Sequence, residues 1–264
     1  LHRPPLLRFM AIRHTDNHWR LLVNSHHLLL DGWSVPRILN EWLGGACGMP
    51  PTEEPLLRWT NYLDELQTQE RHLAQCYWNN SLQGLARPSL LRPSRHTRSP
   101  SKDVCAAISP HHSRDLINAV RAAGVSSASL YQLAWAKTLA VKLGHADVVF
   151  GLFDSGRAIP IDGVTSLVGL VTQLLPVRID TANPQSIEAQ LQALQARQFE
   201  WQAQAPVRLD NLAVAHRFGE FFDTLLIIEN ALDAGARRIE QHRGKAAARP
   251  GLVGQRVGQV GAEK

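Results

Sequence analysis

Apolar residues recur along this chain with two different periods, and the order of those periods restricts the fold more than any other feature. Two short runs near the start, residues 9–13 and 19–24, are rich in strand-forming types. They flank His14-Thr15-Asp16-Asn17, which predicts a hairpin. Val35, Ile38, Leu39 and Trp42 then repeat at helical spacing until Gly44-Gly45 interrupts them. Pro50-Pro51 and Pro55 mark a loop, and one helix is expected over residues 59–82, closed by Gly84. Further on, residues 104–109 read as a strand and Ser109-Pro110 opens a helix running to Ala123. A second helix over 126–143 carries apolar residues on more than one face. A buried strand at 148–152 follows, then a loop holding Gly156, Pro160 and Gly163. A strand at 174–179, a Gln-rich helix at 186–202 and a last strand at 222–229 complete the series. Strands and helices alternate only loosely, so the class is mixed α/β, of the α+β kind.

Composition narrows the function. The chain has 264 residues, enough for one large domain or two lobes with cores. Its net charge of +5 would suit nucleic acid, but the arginines cluster at 87–98 and 237–249 without interleaved aromatics. These stretches read as a solvated connector and a solvated tail. Three widely spaced cysteines, with no C-x-x-C pair, suggest neither a disulfide framework nor a zinc site. A reducing cytoplasm fits them. No run of about 18 apolar residues exists, so no membrane span is expected. The chain begins at Leu1 without an initiator Met or a signal pattern, so it is expected to be cut from something longer or processed.

The sharpest chemistry lies in His26-His27-Leu28-Leu29-Leu30-Asp31-Gly32-Trp33-Ser34. Placed at a strand end, the two histidines point to opposite faces, His27 with Leu21, Val23 and Ser25, and His26 with Leu22 and Asn24. Only one of them can look into a given cavity. An imidazole that titrates near neutrality is suited to moving a proton. Asp31 can orient it, or lock the turn through an ion pair, or cap the following helix, while Gly32 permits a tight turn. No third ligand lies nearby, which disfavours a metal.

That string follows the pattern H-H-x-x-x-D-G-[WV]-S of condensation domains from nonribosomal peptide synthetases, which belong to the chloramphenicol-acetyltransferase-like superfamily. The resemblance continues in order. Trp59-Thr60-Asn61-Tyr62 and then Cys76-Tyr77-Trp78-Asn79 resemble the family's Y-x-D-[FY] helix and later Y-W, with Asn61 replacing Asp and Glu65 standing where Trp is common. Val149-Phe150-Gly151 through Ser155-Gly156-Arg157 resembles "FG…SGR". Residues 168–178, VGLVTQLLPVR, resemble "VGLFINTLPVR", with Gln173 for Asn, and residues 222–230 resemble "FDTLLVFEN". The likeness covers residues 4–230.

The resemblance implies an incomplete two-lobed chloramphenicol-acetyltransferase-like fold. A partial N-terminal lobe occupies 1–85, a connector 86–103, a partial C-terminal lobe 104–230, and an atypical, disordered tail 231–264. The family's early motifs and its last segment are expected to be missing, with a frameshift or assembly break near Asn230. The implied reaction joins a donor acyl or peptidyl thioester to the amine of an aminoacyl thioester. The phosphopantetheine arms of two carrier domains enter a tunnel between the lobes, beside a neighbouring adenylation domain. No cofactor is bound by the domain itself, and neither nucleic acid nor membrane is a partner.

His27 is the implied catalytic histidine, with His26 as its motif neighbour. Asp31 is implied to be structural, paired with Arg157, with Gly32 allowing the turn and Trp33 packing behind it. Ser155, Gly169, Gln173 and Arg178 are expected to shape the tunnel or the lobe interface. His111-His112 matches no family motif and reads as surface. The competing readings are an epimerisation domain, a stand-alone acyltransferase, and an inactive remnant that at most docks partners. The fragment by itself is expected to be poorly stable and nearly inactive.

Overall fold

The polar tetrapeptide after the first apolar run reverses the chain as its composition predicts. β1 (Leu7–Thr15) pairs antiparallel with β2 (His18–Ser25), in register from Leu7↔Ser25 to Arg13↔Trp19. An Arg13–Asp16 ion pair closes the turn, and the Arg13 guanidinium lies 5.8 Å from the centre of the Trp19 ring. The computed structural model describes residues 4–16, 18–50, 57–68, 71–91, 104–204, 206–228 and 256–257.

The chain divides into two compact units. The first comprises residues 1–62, 162–171 and 229–264. It holds the hairpin, α1 (Ser34–Ala46), the start of α2 (Trp59–Thr68) and a 3-10 turn at Val164–Ser166. The short strand Arg256–Val257, the last of the six in chain order, pairs with β2. The remainder of the expected tail, 231–255 and 258–264, lies outside the described residues.

The second unit comprises residues 63–161 and 172–228. It holds the rest of α2, α3 (Arg71–Leu82), α4 (Pro110–Ala122), α5 (Ser127–Leu143) and α6 (Ile187–Gln202). A three-stranded sheet runs in the order β4-β3-β5, with β3 (Asp147–Asp154) antiparallel to β4 (Gln173–Asp180) and parallel to β5 (Leu225–Ile227). The short helix α7 (Ala213–Phe218) completes it. The core lies here: Val148, Val149 and Phe150 of β3, with Ala136 of α5 and Val177 of β4, are fully buried.

Local signals explain the helix ends. The Ser109 side chain accepts the His112 N–H, Ser126 accepts that of Ser129, and Ser186 accepts that of Ala189, so each helix that follows begins capped. Gly144, at φ 70°, ends α5 in the left-handed conformation that a side chain would resist. The Gln-rich character of α6 has a structural cause. Gln195 Oε1 accepts from Ser126 N at 2.6 Å, Gln192 Nε2 donates to Ala123 O at 3.1 Å, and Gln198 Oε1 accepts from Gln132 Nε2 at 3.1 Å. Side-chain amides thus tie α6 to the start and body of α5.

Four expectations need correction. The single helix expected over 59–82 appears as α2 and α3, with residues 69–70 outside the described ones. Residues 104–109 form no strand and join neither sheet among the described residues. The strand expected over 222–229 is only three residues long, since β3 offers it a parallel partner only from Gly151 to Phe153. Finally, the stretch expected to be a solvated connector is exposed at Ala86 and Arg87 but not throughout. Ser89 is fully buried, its N–H donates to Phe221 O at 2.8 Å, and its hydroxyl accepts Val149 N–H at 2.8 Å. Residues 92–103 lie outside the described ones.

Gly151 marks the tightest point of the second core. A Cβ there would sit 2.5 Å from a Leu225 methyl, 2.8 Å from the Phe222 ring and 2.9 Å from a Leu174 methyl. Gly151→Ala is therefore expected to cost about 1–3 kcal/mol through overpacking, read as a lower urea midpoint with unchanged slope.

Candidate active site

β2 ends at Ser25, one residue before the paired histidines. His26 and His27 occupy a turn in which Leu29 N–H donates to His26 O at 2.9 Å. Strand alternation, which would turn the two rings to opposite faces, does not extend to them. The turn sorts them instead. His26 Nδ1 accepts the Leu28 N–H at 3.1 Å, so that ring folds back on its own backbone. His27 is exposed, and its ring engages in none of the hydrogen bonds among the described residues.

The turn is held at both ends. On the entry side, His26 N–H donates to Leu6 O at 2.8 Å, extending the hairpin pairing by one bond. On the exit side, Leu30 and Asp31 are buried, at 7% and 2% exposure. Asp31 Oδ1 accepts from Trp33 N at 3.1 Å, Ser34 N at 2.8 Å and the Ser34 hydroxyl at 2.7 Å. Those backbone donors open α1, so the carboxylate caps that helix at its positive end. Oδ2 accepts Val171 N–H at 3.2 Å, from a segment 140 residues away.

Ser34 is the second member of this knot and is fully buried. Its hydroxyl accepts Gly169 N–H at 3.0 Å and lies 2.9 Å from Gly169 O, giving its single proton to that carbonyl or to Asp31 at any moment. Asp31 N–H also donates to Gly169 O, at 3.4 Å. Gly32 sits outside the left-handed region, and a Cβ there would meet nothing within 4 Å, so the turn forms without needing glycine's freedom. Trp33, expected to pack behind the turn, is 53% exposed.

The remaining sequence candidates divide between the two units. Gly169 is in the first unit, at the knot. Ser155, Arg157, Gln173 and Arg178 belong to the second. In the Ser155-Gly156-Arg157 loop, Gly156 has φ 68°, the Ser155 hydroxyl accepts Arg157 N–H at 3.3 Å, and Arg157 is 6% exposed. Gln173 opens β4 opposite Asp154, and its buried amide has no hydrogen-bond partner among the described residues. Asp154 itself receives Gly156 N–H at 2.8 Å and Gln202 Nε2 at 2.5 Å.

Arg178 forms a two-pronged pair with Asp147, at 2.8 and 2.9 Å, and donates to Gln83 O at 2.6 Å beyond the end of α3. The hydrogen bonds from Asp147 push its guanidinium above the ordinary value, against the opposing effect of burial. It braces α3 and β3 within the second unit. His111 pairs with Asp115 at 2.9 Å, and both are exposed. Among the described residues no group of three His, Cys, Asp or Glu side chains is placed to hold a metal, and no helix is long and apolar enough to cross a membrane.

An exposed imidazole on a turn pinned by a buried carboxylate is the candidate site of this α+β fold. Solved relatives share that fold. The first condensation domain of the CDA synthetase superposes with a TM-score of 0.63 at 17% identity, covering 86% of this chain and 53% of that one. The SgcC5 protein from Streptomyces globisporus gives 0.60 at 19% identity, covering 83% and 51%. The chain belongs to the condensation-domain family, whose profile matches residues 1–252 and so runs past Asn230, where the sequence motifs end. Vanchrobactin synthetase VabF from Vibrio anguillarum is 30% identical over 232 residues, 86% of this chain and 8% of that protein. A linear gramicidin synthase from Brevibacillus parabrevis is 28% identical over 251 residues, 90% of this chain and 3% of that protein. The chain thus spans a small part of its synthetase relatives and about half of the solved ones.

Sequence reasoning missed Ser34 as a structural centre, although it stands in the histidine string. A serine three residues after a helix-capping aspartate was the available signal. Ser34→Ala leaves the Gly169 N–H without its buried acceptor, and is expected to lower stability by about 1–3 kcal/mol in urea titration of the chain.

Proposed function

We propose that this chain carries the histidine-bearing part of a condensation domain that forms amide bonds in nonribosomal peptide synthesis. The observation that carries the reading is the His27 imidazole, held out on a turn whose two ends are fixed by hydrogen bonds. The 28–30% identity to gramicidin and vanchrobactin synthetases supports it.

In this reaction the acceptor amine attacks the donor thioester carbonyl. The C–N bond forms, the tetrahedral intermediate collapses, the C–S bond breaks, and the donor arm leaves as a thiol. One proton must pass from the amine towards that thiolate. A ring nitrogen of His27 within hydrogen-bond reach of the amine can orient it and take that proton. Asp31 serves the turn and the helix, through its acceptor contacts with Trp33, Ser34 and Val171.

The substrates arrive on the phosphopantetheine arms of donor and acceptor carrier domains, beside an adenylation domain, in the cytoplasm. The domain itself needs no cofactor. His27, with His26, Asp31, Gly32 and Trp33 as motif residues of the same unit, forms the chemical centre of this reading. Gly169 shapes its surroundings through the contact with Ser34.

The test is single-turnover condensation with carrier-bound thioesters, in a domain completed with the N-terminal portion of a relative. His27→Ala is expected to lower amide formation by at least about 100-fold while carrier affinity stays within about twofold. Undiminished product would remove His27 from its role. Exchange of the donor α-proton without amide formation would favour epimerisation instead.

A further inference from the structure

The Asp31–Ser34 knot depends on the 168–171 segment being pressed against it, and one side chain is placed to do this. Gly169 is not in the left-handed region, so its backbone does not require glycine. A Cβ there would lie 2.5 Å from Cζ3 of Trp59, 2.8 Å from Cε3 and 3.3 Å from Cη2. The six-membered ring of the indole therefore lies directly on the Gly169 α-carbon. The indole is itself supported by Tyr62, whose ring centre is 5.2 Å away and which is 4% exposed. Trp59, Tyr62, Gly169, Asp31 and Ser34 all belong to the first unit.

We infer that Trp59 is a positioning residue for His27, acting through Gly169. Its ring holds the Gly169 peptide where its N–H meets the Ser34 hydroxyl and its carbonyl meets Asp31 N–H and Ser34 Oγ. The same placement brings Val171 N–H to Asp31 Oδ2. Asp31 is the exit anchor of the histidine turn, four residues after His27. The indole fixes the exit end of that turn much as Leu6 O fixes its entry end. The inference rests on the condensation reading only where turnover is concerned; its geometric part is independent of it.

The experiment uses the 264-residue chain, with Trp59→Ala, Gly169→Ala and the double variant. Amide hydrogen exchange is followed at Ser34, Gly169 and Val171, with the β3 and β4 amides as internal reference. The His27 ring resonances are recorded by NMR beside those of His145. Trp59→Ala is expected to speed exchange at the three knot amides by about tenfold or more while the β3 and β4 amides are unchanged. It should also shift or broaden the His27 ring signals and leave those of His145 in place. Gly169→Ala should do the same, because its methyl collides with the indole. The double variant should match Trp59→Ala within about twofold, since with the indole gone the methyl has nothing to strike and the two losses do not add.

Unchanged exchange in Trp59→Ala, a static His27 signal, or losses that add in the double variant would each overturn the inference. Thioester condensation by the completed domain separates the two readings. Knot and His27 signals that respond as expected in a domain with no turnover would refute the condensation reading and leave the positioning role standing.

Discussion

A single buried carboxylate joins parts of the first unit that are far apart in sequence. Asp31 caps α1 through the amides of Trp33 and Ser34, and with its other oxygen it takes the Val171 amide from 140 residues downstream. A carboxylate out of water is costly unless its lone pairs are met, and these donors and the Ser34 hydroxyl are among the groups that meet them here. Losing any one donor leaves part of a buried charge uncompensated. The arrangement is therefore cooperative, and the excursion of residues 162–171 into the first unit depends on it.

The two units differ in how they are held. In the second, stabilisation comes chiefly from apolar burial, with Trp78 of α3, Leu139 of α5 and Trp201 of α6 each 1% exposed around β3. In the first, α1 buries only Ser34 among its residues, and Phe9, Met10 and Trp19 of the hairpin are substantially exposed. Polar contacts at Asp31 and Ser34 supply there what a sparse apolar core does not. The histidine turn thus sits in the part of the chain most dependent on directional hydrogen bonds.

Much of this could be read from the residues alone. Residue pattern and the Ser109-Pro110 start placed the helices that follow Ser109, Ser126 and Ser186, and each of these serines accepts a free amide of the first turn. The motif string located His27 and Asp31. What could not be read depended on distant partners. The fate of the histidine rings turned on where β2 stops, a one-residue matter no pattern resolves. Ser89 looked like part of a polar connector, yet its hydroxyl is the acceptor for Val149 in the centre of the second core. The reason for glycine at 169 was invisible without the indole that covers it, whereas Gly32, expected to allow a tight turn, is sterically free.

The glutamine contacts between α5 and α6 carry a consequence for how the second unit responds to its surroundings. Gln192, Gln195 and Gln198 reach across to Ala123, Ser126 and Gln132 with neutral amides rather than charged ends. Such groups neither gain nor lose protons over the biological range, and dissolved ions do not screen them as they screen charge pairs. The seam between these helices keeps its strength through changes of acidity and ionic strength that would loosen a seam built from lysine and glutamate.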